Sequence, residues 1–120
     1  MANYGPGANF ERDVKKYYEA KGYTVIRSAG SLGAIDLIVF DGYDTILIQC
    51  KKERRNGYYA KDIEKLEKVD CRDYWNKEFW VKKTRVGYKV TSWTDFGIKK
   101  GEKFTREISF KEFNGVVNGN

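Results

Sequence analysis

The chain has 120 residues, 41% hydrophobic and 33% charged, with 23 Lys and Arg against 17 Asp and Glu for a net charge of +6. That length suits one domain (1–120) with a real core, and no run approaches the ~20 apolar residues of a membrane span. With no histidine anywhere, Ser-His and Cys-His nucleophilic catalysis is excluded, so an enzyme here must use carboxylates, lysine or metal-bound water.

In chain order, residues 1–7 carry two glycines and the only proline and are expected to form a flexible arm. They have neither the basic region nor the apolar core of a signal peptide, which predicts an intracellular protein. Phe10, Val14, Tyr17 and Tyr18 then recur at helical spacing, predicting a helix from Ala8 to about Ala20 with Asn9 as a cap and Gly22 just past its end. Glu11 is expected in the first turn beside the apolar stripe, either as an exposed acid favoured by the helix dipole or as part of a site. Tyr23–Ser28 reads as a strand. The small residues from Ser28 to Gly33 read as a loop, serving either as a plain turn or as a close approach to phosphate by backbone and the Ser31 hydroxyl, with Arg27 nearby.

Ile35–Lys52 is the most informative stretch. Two runs rich in Ile, Val and Leu flank Asp41-Gly42-Tyr43-Asp44, a turn signal, so a β-hairpin is predicted. Symmetry about Gly42 and Tyr43 pairs Phe40 with Thr45 and, in the same register, sets Asp36 opposite Gln49. Strand side chains alternate faces, so Asp36, Gln49 and Lys51 are expected on one face, the first two roughly 5 Å apart at Cβ. Ile35, Leu37, Val39, Ile46, Ile48 and Cys50 take the other face, against a helix. A carboxylate, an amide and an ammonium converging at the end of an apolar hairpin are costly to place there without a purpose.

Lys51-Lys52-Glu53-Arg54-Arg55-Asn56-Gly57 follows, either a solvated face or a phosphate-contacting ramp. Ile63, Leu66 and Val69 mark a helix from about Ala60 to Tyr74 over one sheet face. Glu78–Lys82 and Val86–Trp93 are further strands, with Trp75, Trp80 and Trp93 expected to pack in the core or at interfaces rather than stack on bases. Asp95–Lys103 reads as a loop, Phe104–Phe113 as an edge strand or short helix, and residues 114–120 as a frayed tail. Cys50 and Cys71 lack Cys-x-x-Cys spacing, predicting two reduced thiols in or near the core and no zinc site.

The order helix with Glu11, strand, hairpin with Asp36 and Gln49-Cys50-Lys51, helix, strand resembles the PD-(D/E)XK, restriction-endonuclease-like nuclease core, an α/β fold with a mixed sheet and helices on its faces. Phe10-Glu11-Arg12, Gly22 to Ser28, Gly30-Ser31, Asp36 and Gln49-x-Lys51 are similar, within that superfamily, to the archaeal-type Holliday junction resolvases and their viral relatives. The resemblance covers Gly7 to about Val90. It implies a homodimer that holds a four-way DNA junction and cuts it with Mg²⁺, Mn²⁺ being a substitute, and it implies no small-molecule cofactor or membrane. The location implied is cytoplasmic, in the host cell if the gene is viral.

On this chain the resemblance implies that Asp36 is the main metal ligand, with Glu11 and Gln49 as further oxygen ligands. Lys51 would orient the attacking water or stabilise charge developing on phosphate, and Ser31 would approach the scissile phosphate. Arg27, Ser28, Gly30 and Ser31, with Lys52, Arg54 and Arg55 from the charge run, are the expected DNA contacts. A hard cation prefers such oxygen ligands and can activate water without histidine. Two positions depart from the family pattern. Ile35 replaces the usual proline, and Gln49 stands where Glu or Asp is usual, which removes one negative charge and lowers the expected metal affinity. Gln-x-Lys is also similar to the motif of Mrr-like restriction nucleases acting on duplex DNA. A branched-DNA-binding module without catalysis is the remaining alternative.

Overall fold

The computed structural model describes residues 6–71 and 75–119, with the side chains of 6–8 and 29–32 outside that description. Nine elements follow one another: α1 (Pro6–Ala20), β1 (Thr24–Leu32), β2 (Ile35–Phe40), β3 (Thr45–Lys52), α2 (Ala60–Glu67), β4 (Trp75–Lys83), β5 (Gly87–Thr94), β6 (Phe104–Ser109) and α3 (Phe110–Val117). The strands form one sheet in the order β1 to β6. Every neighbouring pair is antiparallel except β3–β4, which is parallel because α2 carries the chain back over the sheet between them.

The two faces are covered unequally. On one, α1 and α3 enclose a core of Phe10, Val14, Tyr17, Tyr18, Leu37, Val39, Ile48, Trp80, Tyr88, Val90 and Phe113, among others. On the other, α2 lays Leu66 over Leu47, Phe79 and Val81. The central strands are therefore buried on both sides: five consecutive residues of β4, Lys77 to Val81, are buried. Such a strand shows a continuous run rather than alternation. This is why β4 is longer than its predicted Glu78–Lys82 span, and why Trp80 packs opposite to Phe79.

The helical stripe of α1 is as expected, all four of its apolar positions being buried. Gly22, at φ 95°, closes the helix, its N–H donating to the Glu19 carbonyl at 3.0 Å. The start differs. Pro6 and Gly7 lie within α1, so Asn9 sits inside the helix instead of capping it, and Glu11 falls beyond the first turn. Proline is tolerated at a helix start because its missing N–H has no partner there anyway. Residues 1–5 of the expected arm lie outside the described residues.

Three further expectations are corrected. The small-residue segment predicted as a loop continues β1 to Leu32, with a register shift between Arg27 and Leu32. Helix α2 stops at Glu67, well before Tyr74, because the buried Lys77 Nζ takes up the Glu67 and Val69 carbonyls at 2.9 Å each and pairs with Asp95 at 2.6 Å. Residues 114–117, expected to fray, form half of α3, whose Phe113 is buried and whose Val116 and Val117 pack on the core. Val86 precedes β5 and is exposed. Both cysteines are free thiols, Cys50 buried and Cys71 partly so, as the sequence predicts.

Candidate active site

The hairpin fixes the site. Its ladder runs from Phe40–Thr45 to Leu37–Ile48, the predicted register. One residue further the expected Asp36–Gln49 pair is replaced by a side-chain contact: Asp36 Oδ2 accepts the Cys50 backbone N–H at 2.8 Å. The Asp36 carboxylate thus does the work of a ladder acceptor and is anchored to β3. Ile35 shares this irregularity, packing with Ile38 and Leu47 under α2 instead of on the α1 face.

Burial pushes the Asp36 carboxyl above the usual carboxylate range, against the opposing pull of the Cys50 N–H and the charges of Lys51 and Arg27. Glu11 of α1 is raised for the same first reason, and next by the negative charge of Asp36. Its Oε1 accepts from Arg27 Nε at 3.1 Å, and Arg27 and Lys51 pull its pKa back down. Two carboxylates from separate elements therefore feel each other and the same two cations. The reading of Glu11 as a plain exposed acid does not hold, since its side chain is largely covered and ion-paired.

Gln49 is 4% exposed, and its Oε1 has no hydrogen-bond donor among the described residues. A buried oxygen left so is costly unless something electropositive completes it. Gln49 and Lys51 line one groove, as their spacing predicts. No three acidic, histidine or cysteine side chains among the described residues gather into a metal cluster. The donors available are instead two carboxylates and one amide oxygen. Asp36 and Glu11 feel each other's charge, and Gln49 lies in the neighbouring strand β3; oxygen donors of this kind suit a hard divalent cation such as Mg²⁺ or Mn²⁺.

The expected DNA contacts divide. Arg27 is held by Glu11, and Arg54 is drawn away from the ramp, its Nη1 pairing with Asp62 at 2.5 Å and donating to the Tyr58 carbonyl at 3.1 Å. Lys52 and Arg55 stay exposed, and Ser28 is partly buried. Gly30 and Ser31 lie in β1, with the Ser31 side chain outside the described residues. Sequence reasoning missed a cationic groove of about 370 Å³ beside the site, lined by Arg12, Lys15, Lys16, Glu19 and Arg27. The signal was the i, i+3 and i+4 spacing of basic residues from Arg12, which sets them along one side of α1. Also missed was buried Glu78, which accepts from the Tyr18 hydroxyl and from Trp80 Nε1 at 3.0 Å and lies 3.5 Å from Arg106. It ties β4 to α1 and β6, away from the hairpin motif.

Fold and site together define a restriction-endonuclease-like chain, with a mixed sheet whose hairpin carries aspartate, glutamine and lysine, the aspartate and lysine acting on a helix-borne glutamate. A family model described as archaeal Holliday junction resolvase matches residues 2–111. The chain belongs to that family. It is similar to the crossover junction endodeoxyribonuclease Hjc of Methanocaldococcus jannaschii, with 42% identity over 65 residues, 52% of this chain and 48% of that protein. The match thus spans about half the length of that curated relative.

Proposed function

We propose that this chain is a divalent-metal-dependent, structure-selective DNA endonuclease that resolves four-way junctions by hydrolysing phosphodiester bonds. Family membership supports the reaction class. The single structural observation that carries the site is the buried Gln49 Oε1, without a donor among the described residues, in the strand that also bears Lys51 and holds the Asp36 carboxylate. Asp36, Glu11 and Gln49 would hold the metal, Mg²⁺ or in its place Mn²⁺. When bound, the ion supplies charge to the phosphoryl oxygens and lowers the pKa of a water.

The chain's own residues do the remaining work. The Cys50 N–H fixes the Asp36 carboxylate, so that oxygen is positioned before substrate arrives. Lys51 offers an ammonium group to the phosphate, where it steadies negative charge as it develops. Arg27 pairs with Glu11 in the free protein and contacts backbone phosphate in the complex, with Ser31 approaching the same phosphate. The functional unit is a homodimer, one site per strand, working in the cytoplasm.

The test compares a four-way junction with the linear duplex of its arms, in Mg²⁺ and in Mn²⁺. Wild type nicks the junction, whereas Asp36→Asn and Lys51→Ala lose at least about a thousandfold in rate and still bind it. Equal cutting by both variants overturns the assignment. Tight binding without cutting in either metal points instead to a non-catalytic branched-DNA-binding protein, a reading that the missing charge at Gln49 favours. Preference for linear duplex points to an Mrr-like enzyme.

A further inference from the structure

A groove beside the hairpin motif, about 590 Å³, runs between the β1–β2 turn and α2 and is lined by Gly33, Gln49, Lys51, Lys65, Lys68 and Asp62 among others. We infer that this groove seats the phosphodiester backbone of the cut strand next to the scissile phosphate, with Lys65 and Lys68 as phosphate contacts. This deepens the nuclease reading and rests on it.

Charge is the first argument. Asp62, the acid in that lining, is already neutralised by Arg54 at 2.5 Å. Arg54, expected from its sequence position to touch DNA, instead takes up the acid that could have paired with the lysines of the groove. Lys65 has no ion-pair partner among the described residues, and Lys68 pairs with Glu64 at 2.8 Å where both side chains lie well in solvent. Such a pair is weak enough for a phosphate to replace. Geometry is the second argument. Lys65 is in the last turn of α2 and Lys68 is its C-cap, still in helical backbone conformation; residues three apart in such backbone share a face, with Cβ atoms about 5–6 Å apart, so the two can meet neighbouring phosphates of one strand. The floor is the third. Gln49 and Lys51 belong to this groove and to the candidate active site alike, so a strand lying here passes the reacting position. Gly33, at φ 69° and with no described residue beyond its chain neighbours within 4 Å of where a Cβ would stand, leaves the turn side of the groove open to a backbone.

The experiment measures four-way-junction binding over a range of salt, without divalent metal, for wild type, Lys65→Gln/Lys68→Gln, and a remote control, Lys99→Gln/Lys100→Gln. Each lost phosphate contact lowers the slope of log affinity against log salt by about one. The groove variant is expected to lose about one to two units of slope and to bind at least about tenfold more weakly at moderate salt. The control should keep the wild-type slope. Lys65→Arg/Lys68→Arg should restore it, and thermal melting should match wild type because glutamine and arginine are good helix formers. Groove and control variants that behave alike overturn this inference while leaving the nuclease reading intact. A wild type that does not hold the junction overturns both.

Discussion

Gln49 sets the character of the site. Its amide oxygen is buried without a donor among the described residues, while Asp36 and Glu11, both raised by burial, face two cations, Arg27 and Lys51. The two carboxylates are thus matched by two positive charges before any metal arrives, and the third oxygen is neutral. Gln49→Glu should therefore tighten Mn²⁺ binding by about tenfold or more, read by calorimetry. The same change should lower metal-free stability by about 1–3 kcal/mol, because it buries a carboxylate where a neutral amide stood. Unchanged affinity would remove Gln49 from the metal shell. Its position was legible because strand alternation sets Gln49 and Lys51 on one face. The Arg27–Glu11 pair was not, since 16 residues separate the partners and only the packing of α1 on the sheet brings them together.

At the scale of elements, α3 shows how a short segment becomes structure. Eight residues form a marginal helix alone, yet Phe113 stacks on Tyr17 at 4.9 Å and meets Tyr88 at 4.3 Å and Trp80 at 6.2 Å. Its start was visible in principle: Ser109 and Glu112 have capping-box spacing, and Ser109 Oγ accepts the Glu112 N–H at 3.1 Å. Its packing against a buried aromatic cluster was not visible, because that cluster draws on α1, β4 and β5. Phe113→Ala should cost about 3–5 kcal/mol, measured as a shift in denaturant midpoint. A loss under ~1 kcal/mol would mean that α3 contributes little to the core. Because Tyr17 and Glu11 ride on the same helix, this variant should also weaken metal binding.

At the scale of the molecule, the aromatics no longer argue for association. Trp80 and Trp93 are buried and most rings serve the core, so the abundance of aromatics is taken up within one chain. The homodimer then rests on the family alone. Sedimentation at micromolar concentration should give twice the chain mass, and a monomer would show that one chain meets the junction by itself. No described helix is long and apolar enough to cross a membrane.

By itself the sequence determined the hairpin and its register, the buried stripe of α1, the reduced thiols and the set of motif residues. Those features follow from periods of two and 3.6 and from turn chemistry, which act over a few residues. Only the tertiary structure decided that Asp36 bonds the Cys50 N–H instead of facing Gln49 in the ladder, that Arg54 serves Asp62, and that α2 ends where Lys77 takes up its last carbonyls. Each depends on distances between elements. Those distances are set by packing on both faces of β3 and β4, which no local pattern records.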